Sequence, residues 1–196
     1  TESALERVCP NIDLFLRNFR TDGQVISNGI FLDVVRVCRS KDGQTECGDT
    51  NCGFDCGKNK YALCIVDGMG TGKPAAEQSK RVSATVRTMI SRGVPKTDIM
   101  DMVNTALYNG KEDSVLSFDM SIVDLDSAQC EMLKADASPT FICRGGNVYC
   151  VGRRSLPLGA DETPDSFSST CTLFDGDILV MVSDGFFGDS EDFCMN

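Results

Sequence analysis

Two aspartates have the residue type and sequence setting that metal-assisted chemistry needs. Asp67 and Asp184 each end a run of apolar residues, and Gly68 and Gly185 follow them directly. A short, continuous apolar run predicts a buried strand, and the end of such a strand holds a side chain rigidly. Glycine beside the carboxylate lets a bound group approach the backbone closely. The two segments therefore share a design that suits binding at the ends of two strands.

Carboxylates that converge repel each other unless a cation lies between them. Mg²⁺ and Mn²⁺ prefer such oxygen ligands, and a bound metal lowers the pKa of its water to give a nucleophile without histidine. The chain contains no histidine, which excludes Ser-His-Asp triads, Cys-His dyads and His-ligated zinc. Asp-Gly is also a common turn dipeptide, so a cation site and two ordinary turns are both open on this evidence.

A phosphate-binding loop is the rival interpretation of the glycines at 68–72, which follow a predicted strand and open a predicted helix. The spacing to Lys73 is one residue too short for a P-loop, and Pro74 stands where serine or threonine belongs. The third glycine also comes too early for the dinucleotide pattern. The net charge of −10 further argues against nucleic acid as a partner. Nucleotide binding is therefore the weaker interpretation.

The chain has eleven cysteines, and several of them lie inside apolar runs. Buried reduced thiols of a cytoplasmic protein explain these well. Cys47, Cys52 and Cys56 differ because they lie in a stretch rich in glycine and aspartate, at a spacing that is not usual for zinc or iron–sulfur sites. Loose structural cysteines and a metal or cluster role are both open. Redox control is a further hypothesis, which unchanged activity of the triple serine variant would contradict.

The elements that must position these groups follow from hydrophobic periodicity. Predicted strands cover residues 31–38, 61–66, 115–123, 130–134, 140–144, 148–151, 167–173 and 178–182. One predicted helix begins at Pro74 and ends near Arg92, and Thr97 is the expected N-cap of a second that stops at Asn109-Gly110. This order predicts a layered α+β domain in which helices cover a largely antiparallel pair of sheets.

The expected organisation is an N-terminal linker or helical segment over residues 1–28, with apolar residues at helical spacing between Ile12 and Phe19, and one domain over 29–196. No run approaches the roughly 18 apolar residues that a membrane span needs. The chain begins at Thr1, so we expect a piece of a longer protein, which membrane segments upstream would anchor.

Several motifs, in order, resemble the stage II sporulation protein E-like phosphatases, a branch of the PPM (protein phosphatase 2C-like) serine/threonine phosphatases. Residues 67–73, Asp-Gly-Met-Gly-Thr-Gly-Lys, resemble the DGMGxG element of that family. The other matching segments are Gly48-Asp49, the strand at 118–125, the hairpin at 137–145, Leu-Pro-Leu-Gly at 156–159, Asp-Gly-Asp at 175–177 and Val-Ser-Asp-Gly-Phe-Phe at 182–187. The resemblance covers roughly residues 30–188.

The resemblance implies a four-layer αββα sandwich with a site for two Mn²⁺ or Mg²⁺ ions between the sheets. By position, Asp67 would bridge both metals, the Gly68 carbonyl would bind one of them, and Asp184 would bind the second. Asp49 would act through a metal-bound water, and Asp119 would hold water or a weaker third metal. The implied activity is hydrolysis of a phosphoserine, typically on an anti-anti-sigma factor of the STAS type, by a metal-activated water in a bacterial signalling pathway.

The sequence departs from the family after its Ser-Asp-Gly motif. Family members continue with helices and a last strand bearing Asp-Asp-Met-Thr, whose aspartate completes the ligands of the second metal, whereas this sequence stops at Asn196. Asp189, Glu191 and Asp192 lie nearby, but we expect them to be solvated loop acids. The second metal is therefore expected to have fewer protein ligands than the first. The alternative function is a phosphatase-like regulatory or binding domain with weak or no turnover.

Overall fold

The computed structural model describes residues 23–27, 30–36, 47–70, 73–110 and 115–186. The strands are β1 (Gly23–Ser27), β2 (Ile30–Val34), β3 (Asp49–Asp55), β4 (Lys60–Gly68), β5 (Leu116–Asp124), β6 (Gln129–Ala135), β7 (Thr140–Arg144), β8 (Asn147–Val151), β9 (Phe167–Thr172) and β10 (Ile178–Val180). The helices are α1 (Lys73–Ser91) and α2 (Lys96–Tyr108), and a single 3₁₀ turn covers Asp184–Phe186.

The strands form a five-stranded sheet in the order β3-β4-β5-β6-β9, a three-stranded sheet in the order β10-β7-β8, and the hairpin β1-β2. All of these neighbouring strands run antiparallel. The predicted α+β fold with two mainly antiparallel sheets is confirmed.

The five-stranded sheet buries apolar side chains on both faces. One face packs against the helices through a cluster that includes Ala62, Cys64, Val66, Phe118, Met120, Val86, Ile90, Ile99 and Val103. The other face packs against the second sheet through Val123, Met132 and Ile142, with Ile30, Leu32 and Leu179 at the margin. Alternation of side chains along each strand explains why a single strand serves both clusters. The end of β4 therefore lies in the middle of a layered structure, where a side chain is held firmly.

The helices lie close to their predicted positions. The predicted N-cap Thr97 is wrong, because Pro95 occupies that position and makes no side-chain cap, while Thr97 lies inside the first turn of α2. The proline explains the difference: its fixed φ starts the helix without a capping side chain. No helix in the described part of the chain is long and apolar enough to cross a membrane.

Some predictions fall on residues that the structure does not describe. The predicted helical segment between Ile12 and Phe19 lies outside the described residues, and so do Asp189, Glu191 and Asp192. The hairpin β1-β2 pairs residues on either side of the predicted boundary at 28/29. That boundary stays a prediction.

Candidate active site

A row of polar side chains crosses the five-stranded sheet at the end of β4. Asp49 of β3 and Ser117 of β5 both lie directly opposite Asp67 in the strand register. Directly opposite residues project from the same face of an antiparallel sheet. The Ser117 hydroxyl donates to the Oδ2 of Asp136, just beyond β6, at 3.3 Å. Four oxygen-bearing side chains thus line up across neighbouring strands.

Three members of this row, Asp67, Ser117 and Asp136, border a small cavity between the sheets. Asp184 reaches this cavity from the 3₁₀ turn that follows β10, together with Ser183 and Val182. The cavity measures about 20 Å³, which is enough for one water-sized occupant. Its acidic lining consists of Asp67, Asp119, Asp136 and Asp184. The two aspartates singled out in the sequence therefore meet at one place.

The charge state of Asp67 reflects this crowding. Burial raises its pKa from 3.8 to about 8, and a hydrogen bond with Asp49, the charges of Asp49 and Asp184, and a hydrogen bond with Asp184 all act in the same direction. A carboxyl group with this pKa holds a proton at neutral pH when no cation is near. A divalent cation would displace that proton, because it offsets the repulsion among the three carboxylates.

Helix α1 fixes the backbone on both sides of Asp49. The buried Ser79 hydroxyl donates to the carbonyl oxygen of Gly48 at 2.7 Å, and it lies 2.9 Å from the Oγ1 of Thr50. Gly48 and Thr50 flank Asp49 in the chain. One helix side chain therefore holds the start of the edge strand β3 in place.

Gly68 is required where β4 meets α1. A Cβ atom at this position would lie 2.7 Å from the carbonyl oxygen of Ala75 in the first turn of the helix. That distance is shorter than any ordinary contact, and the obstacle is backbone, so another residue would push α1 away from the strand. The structure thus gives Gly68 a packing role, while the predicted role of its carbonyl group stays a prediction.

Asp119 enters the cavity lining from β5, but most of its hydrogen bonding is committed elsewhere. Its Oδ2 accepts from Lys134 Nζ at 2.5 Å and from Thr140 Oγ1 at 3.4 Å, and Lys134 also donates to the carbonyl of Ser138 at 2.9 Å. Lys134 is 1% exposed and Asp119 is 2% exposed. Burial raises the pKa of Asp119 and lowers that of Lys134, while the contact between their charges opposes both shifts.

The second carboxylate oxygen of Asp119 is not used by these hydrogen bonds. Its Oδ1 is buried and has no hydrogen-bond partner in the described part of the chain. An unsatisfied buried acceptor is costly, so this atom is suited to accept from a water or to contact a cation. The predicted role of Asp119 therefore depends on Oδ1 alone, and it stays a prediction.

Asp136 is a site residue that the sequence analysis missed. It directly follows β6, its φ of 49° is positive, and its backbone N–H donates to the Oγ of Ser155 at 2.7 Å. Burial raises the pKa of its carboxyl group, the hydrogen bond from Ser117 lowers it, and the charge of Asp184 raises it. The signal was present in the sequence, because Asp136 ends a largely apolar strand as Asp67 does, though without a glycine after it.

The oxygen groups at this site fit a hydrated divalent cation. In the part of the chain that the structure describes, no three Asp, Glu or Cys side chains are arranged to hold a metal ion by themselves. Asp49 and Asp184 nevertheless both approach Asp67, whose pKa is raised first by burial and then by these two carboxyl groups, and a cation would offset the repulsion among the three. Mg²⁺ usually keeps several waters and uses only one or two carboxylates, and Mn²⁺ favours the same ligands. The predicted ligands Asp67 and Asp184, with Asp49 acting through water, need no more carboxylates than that, and these roles stay a prediction.

Known proteins resemble this chain in sequence over most of its length. The family profile described as Stage II sporulation protein E (SpoIIE) matches residues 57–193. The stage II sporulation protein E of Bacillus subtilis (strain 168) is 34% identical over 149 residues, which make up 76% of this chain and 18% of that protein. The chain therefore spans less than a fifth of the length of this relative.

Solved structures show the same fold. The PP2C phosphatase domain of SpoIIE from Bacillus subtilis, solved with a fragment of its regulatory domain, has a TM-score of 0.70 and 33% identity, covering 77% of this chain and 45% of that one. RsbX in complex with magnesium has a TM-score of 0.66 and 16% identity, covering 86% of this chain and 78% of its own. At that identity, the likeness to RsbX shows the fold alone.

Proposed function

Because the chain belongs to the stage II sporulation protein E family of PP2C-like phosphatases, we propose that it is a metal-dependent phosphatase acting on phosphoserine of a signalling protein. The observation that carries this proposal is that Asp49 and Asp184 both interact with Asp67, and that Asp67 and Asp184 line the cavity between the sheets. The proposed partner is a phosphorylated, STAS-type anti-anti-sigma factor in the cytoplasm, which rests on the family alone.

The proposed cofactor is Mn²⁺ or Mg²⁺, with two ions expected and the second depending most on Asp184. When bound, such a cation would lower the pKa of a water and offset negative charge on the phosphoryl oxygens. Asp67 must lose its proton to act as a ligand, and its raised pKa makes that loss depend on a nearby positive charge. Asp49 and Asp184 approach Asp67 from two different elements and orient the ligands around it.

The remaining residues of the site hold its shape. Ser79 fixes the backbone around Asp49, and the Lys134 ammonium keeps Asp119 oriented toward the interior. Ser117 and Ser155 hold Asp136 at the solvent-exposed rim of the cavity. The Asp136 carboxylate is therefore placed to accept a hydrogen bond from a water at the rim of the cavity.

The proposal is tested by hydrolysis of p-nitrophenyl phosphate and of a phosphoserine peptide, with and without Mn²⁺ or Mg²⁺. We expect metal-dependent turnover that falls about 10²–10³-fold in the Asp67→Asn variant, because a group that fixes transition-state charge is removed. A direct titration with Mn²⁺, followed by electron paramagnetic resonance, reports binding without relying on turnover. Turnover that is unchanged by chelation or by the substitution would overturn the proposal.

The alternative is a phosphatase-like binding domain without turnover. The absence of a three-side-chain metal cluster within the described residues is the observation that favours it. In that case the wild-type chain would show no metal-dependent hydrolysis and would still bind a phosphorylated STAS-type protein. The same experiment therefore separates the two functions.

A further inference from the structure

Two cysteines lie face to face on neighbouring strands behind the active site. Cys52 of β3 and Cys64 of β4 are directly opposite in the strand register, and both are free thiols. Opposite residues of an antiparallel pair have Cα atoms about 4.5–5.5 Å apart. A disulfide spans Cα separations of about 4.4–6.8 Å, so the backbone separation expected for this pair is compatible with a disulfide.

The surroundings of the two thiols differ in a way that assigns them different roles. A hydrogen bond from the Cys64 thiol lowers the pKa of Cys52 to about 6 against the opposing effect of burial, and Ser83, Arg36 and Arg87 also lower it. The Oγ of Ser83 lies 3.1 Å from the Cys52 sulfur. The pKa of Cys64 is raised well above 9 by the same hydrogen bond and by burial. Cys52 is thus the thiolate at neutral pH, and Cys64 stays protonated beside it.

Access to solvent also distinguishes them. Cys52 lies on β3, which is an edge strand of the five-stranded sheet, and its side chain is partly exposed. Cys64 is 2% exposed and belongs to the core that packs against α1. Oxidation-sensitive cysteines are typically accessible thiolates with a second thiol beside them. A small oxidant would therefore meet Cys52 first.

We propose that Cys52 and Cys64 form a hydroperoxide-sensitive dithiol that closes to a disulfide between β3 and β4. In the first step, the Cys52 thiolate attacks a peroxide oxygen, the O–O bond breaks, and a sulfenic acid and one water or alcohol form after protonation. In the second step, the Cys64 sulfur attacks the sulfenic sulfur, the S–O bond breaks, and water leaves with the Cys64 proton. The two cysteines lose two electrons in total, and the peroxide gains them.

A second cysteine pair of the same sheet provides a matched comparison. Cys130 of β6 and Cys171 of β9 are also directly opposite in register and free. Burial raises the pKa of Cys130 to about 12, and burial raises that of Cys171 as well. This pair has the same directly opposite register, but the raised pKa values leave it without a thiolate at neutral pH. It should therefore react far more slowly with peroxide.

The test uses the full chain treated with hydrogen peroxide at pH 7, alkylated and digested with trypsin. Cleavage after Lys58 and Lys60 separates the peptide 42–58, which contains Cys52, from the peptide 61–80, which contains Cys64. We expect mass spectrometry to find these two peptides joined, with a mass two hydrogen atoms below the sum of the separate thiol peptides. Fragmentation of the joined peptides should assign the disulfide to Cys52 and Cys64. Its formation should be at least about tenfold faster than a Cys130–Cys171 link.

Variants make the assignment specific. Cys52→Ser should abolish the link, and Cys64→Ser should leave a sulfenic acid on Cys52 that a dimedone probe traps. The control variant Cys130→Ser should leave the Cys52–Cys64 link unchanged. A link from Cys64 that persists in Cys52→Ser, a wild-type bond from Cys52 to Cys47 or Cys56, or no bond at all would overturn the proposal.

A second measurement does not depend on folding of the variants. Alkylation of Cys52 by iodoacetamide in the wild-type chain should rise with pH and reach half its maximal rate near pH 6, because the thiolate is the reacting form. A half-maximal rate near pH 9 would contradict the proposal. The dithiol chemistry is independent of phosphatase activity, so failure of either proposal leaves the other standing.

Discussion

Asp49 lies directly opposite Asp67 across β3 and β4, and the two carboxyl groups share a hydrogen bond. Asp184 approaches the same group from the 3₁₀ turn after β10. Burial and these two neighbouring carboxyl groups raise the pKa of Asp67 to about 8, so Asp67 carries a proton at neutral pH when no cation is present. Stability, metal binding and pH are linked at this point of the fold.

The first prediction concerns the metal-free protein. The folded-state pKa of Asp67 is about 8 and its ordinary value is 3.8, so its contribution to the free energy of unfolding is fully present below about pH 4. This contribution is lost as the pH rises through 8. Between about pH 4 and pH 8 the native state binds more protons than the unfolded chain, so the free energy of unfolding falls as the pH rises. Asp67→Asn should flatten the fall in stability, as measured by urea unfolding with chelator at pH 5 to 8.

Asp101→Asn is the matched control, because Asp101 is an exposed carboxylate on α2. It should leave the pH dependence of wild type unchanged. Added Mn²⁺ should stabilise wild type more at pH 8 than at pH 5, since the cation competes with the proton at Asp67. An unfolding free energy of the metal-free wild type that rises from pH 5 to 8 would contradict the assignment.

The second prediction concerns Ser79. Ser79→Ala should lower the unfolding free energy by about 1–2 kcal/mol, because a buried hydroxyl that serves Gly48 and Thr50 is lost. If Ser79 positions Asp49, kcat should fall by up to about 100-fold with little change in KM. Thr85→Ala is the control, since its hydroxyl is exposed on the same helix and donates to the carbonyl of Arg81. An equal effect of both substitutions on kcat would show that Ser79 does not position the site.

The third prediction concerns the buried pair of Lys134 and Asp119. Lys134→Met should destabilise the fold by about 3–5 kcal/mol, because it leaves a buried carboxylate without its counter-charge. Adding Asp119→Leu should restore much of that loss, since apolar residues then replace both charges. Urea unfolding of the two single variants and the double variant gives the coupling energy. If Lys134→Met lowers the free energy of unfolding by less than about 1 kcal/mol, both side chains of the pair are already uncharged in the folded protein.

The fourth prediction concerns Asp136. Asp136→Asn keeps the shape and the backbone contact to Ser155 while it removes a negative charge near Asp184. We expect Mn²⁺ affinity to fall about fivefold, because charges some 4 Å apart in water interact by about 1 kcal/mol. Titration with Mn²⁺ measures this, with Asp101→Asn again as control. Unchanged affinity would place Asp136 outside the electrostatic reach of the cation.

Hydrophobic pattern predicted the central elements well. The predicted strand at 140–144 coincides with β7, and the predicted strand at 61–66 is the middle of β4. Both are short apolar runs whose burial leaves little choice of structure. Asp67 at the end of β4 and Asp184 after the predicted strand at 178–182 could be selected because each follows such a run.

The pattern did not predict β3, because Asp-Thr-Asn-Cys-Gly-Phe-Asp is poor in residues that favour strands. Tertiary contacts determine the strand structure of this segment, because β3 pairs along its whole length with β4. Gly53 also leaves room for the ring of Tyr61, since a Cβ atom at position 53 would lie 2.6 Å from the Tyr61 hydroxyl oxygen. Lys134 was equally unpredictable as a buried residue. Its partner Asp119 lies 15 residues away, and periodicity carries no information about such pairs.

The register of β3 against β4 has a consequence for how the protein is made. A slip of one residue would turn Asp49 toward the helices and place Gly48 or Thr50 opposite Asp67, because side chains alternate between the faces of a strand. Such a molecule would keep its secondary structure and most of its core while losing a site carboxylate. Correct alignment of β3 with β4 is therefore a condition for a complete site, and a molecule with a slipped β3 would be folded but inactive.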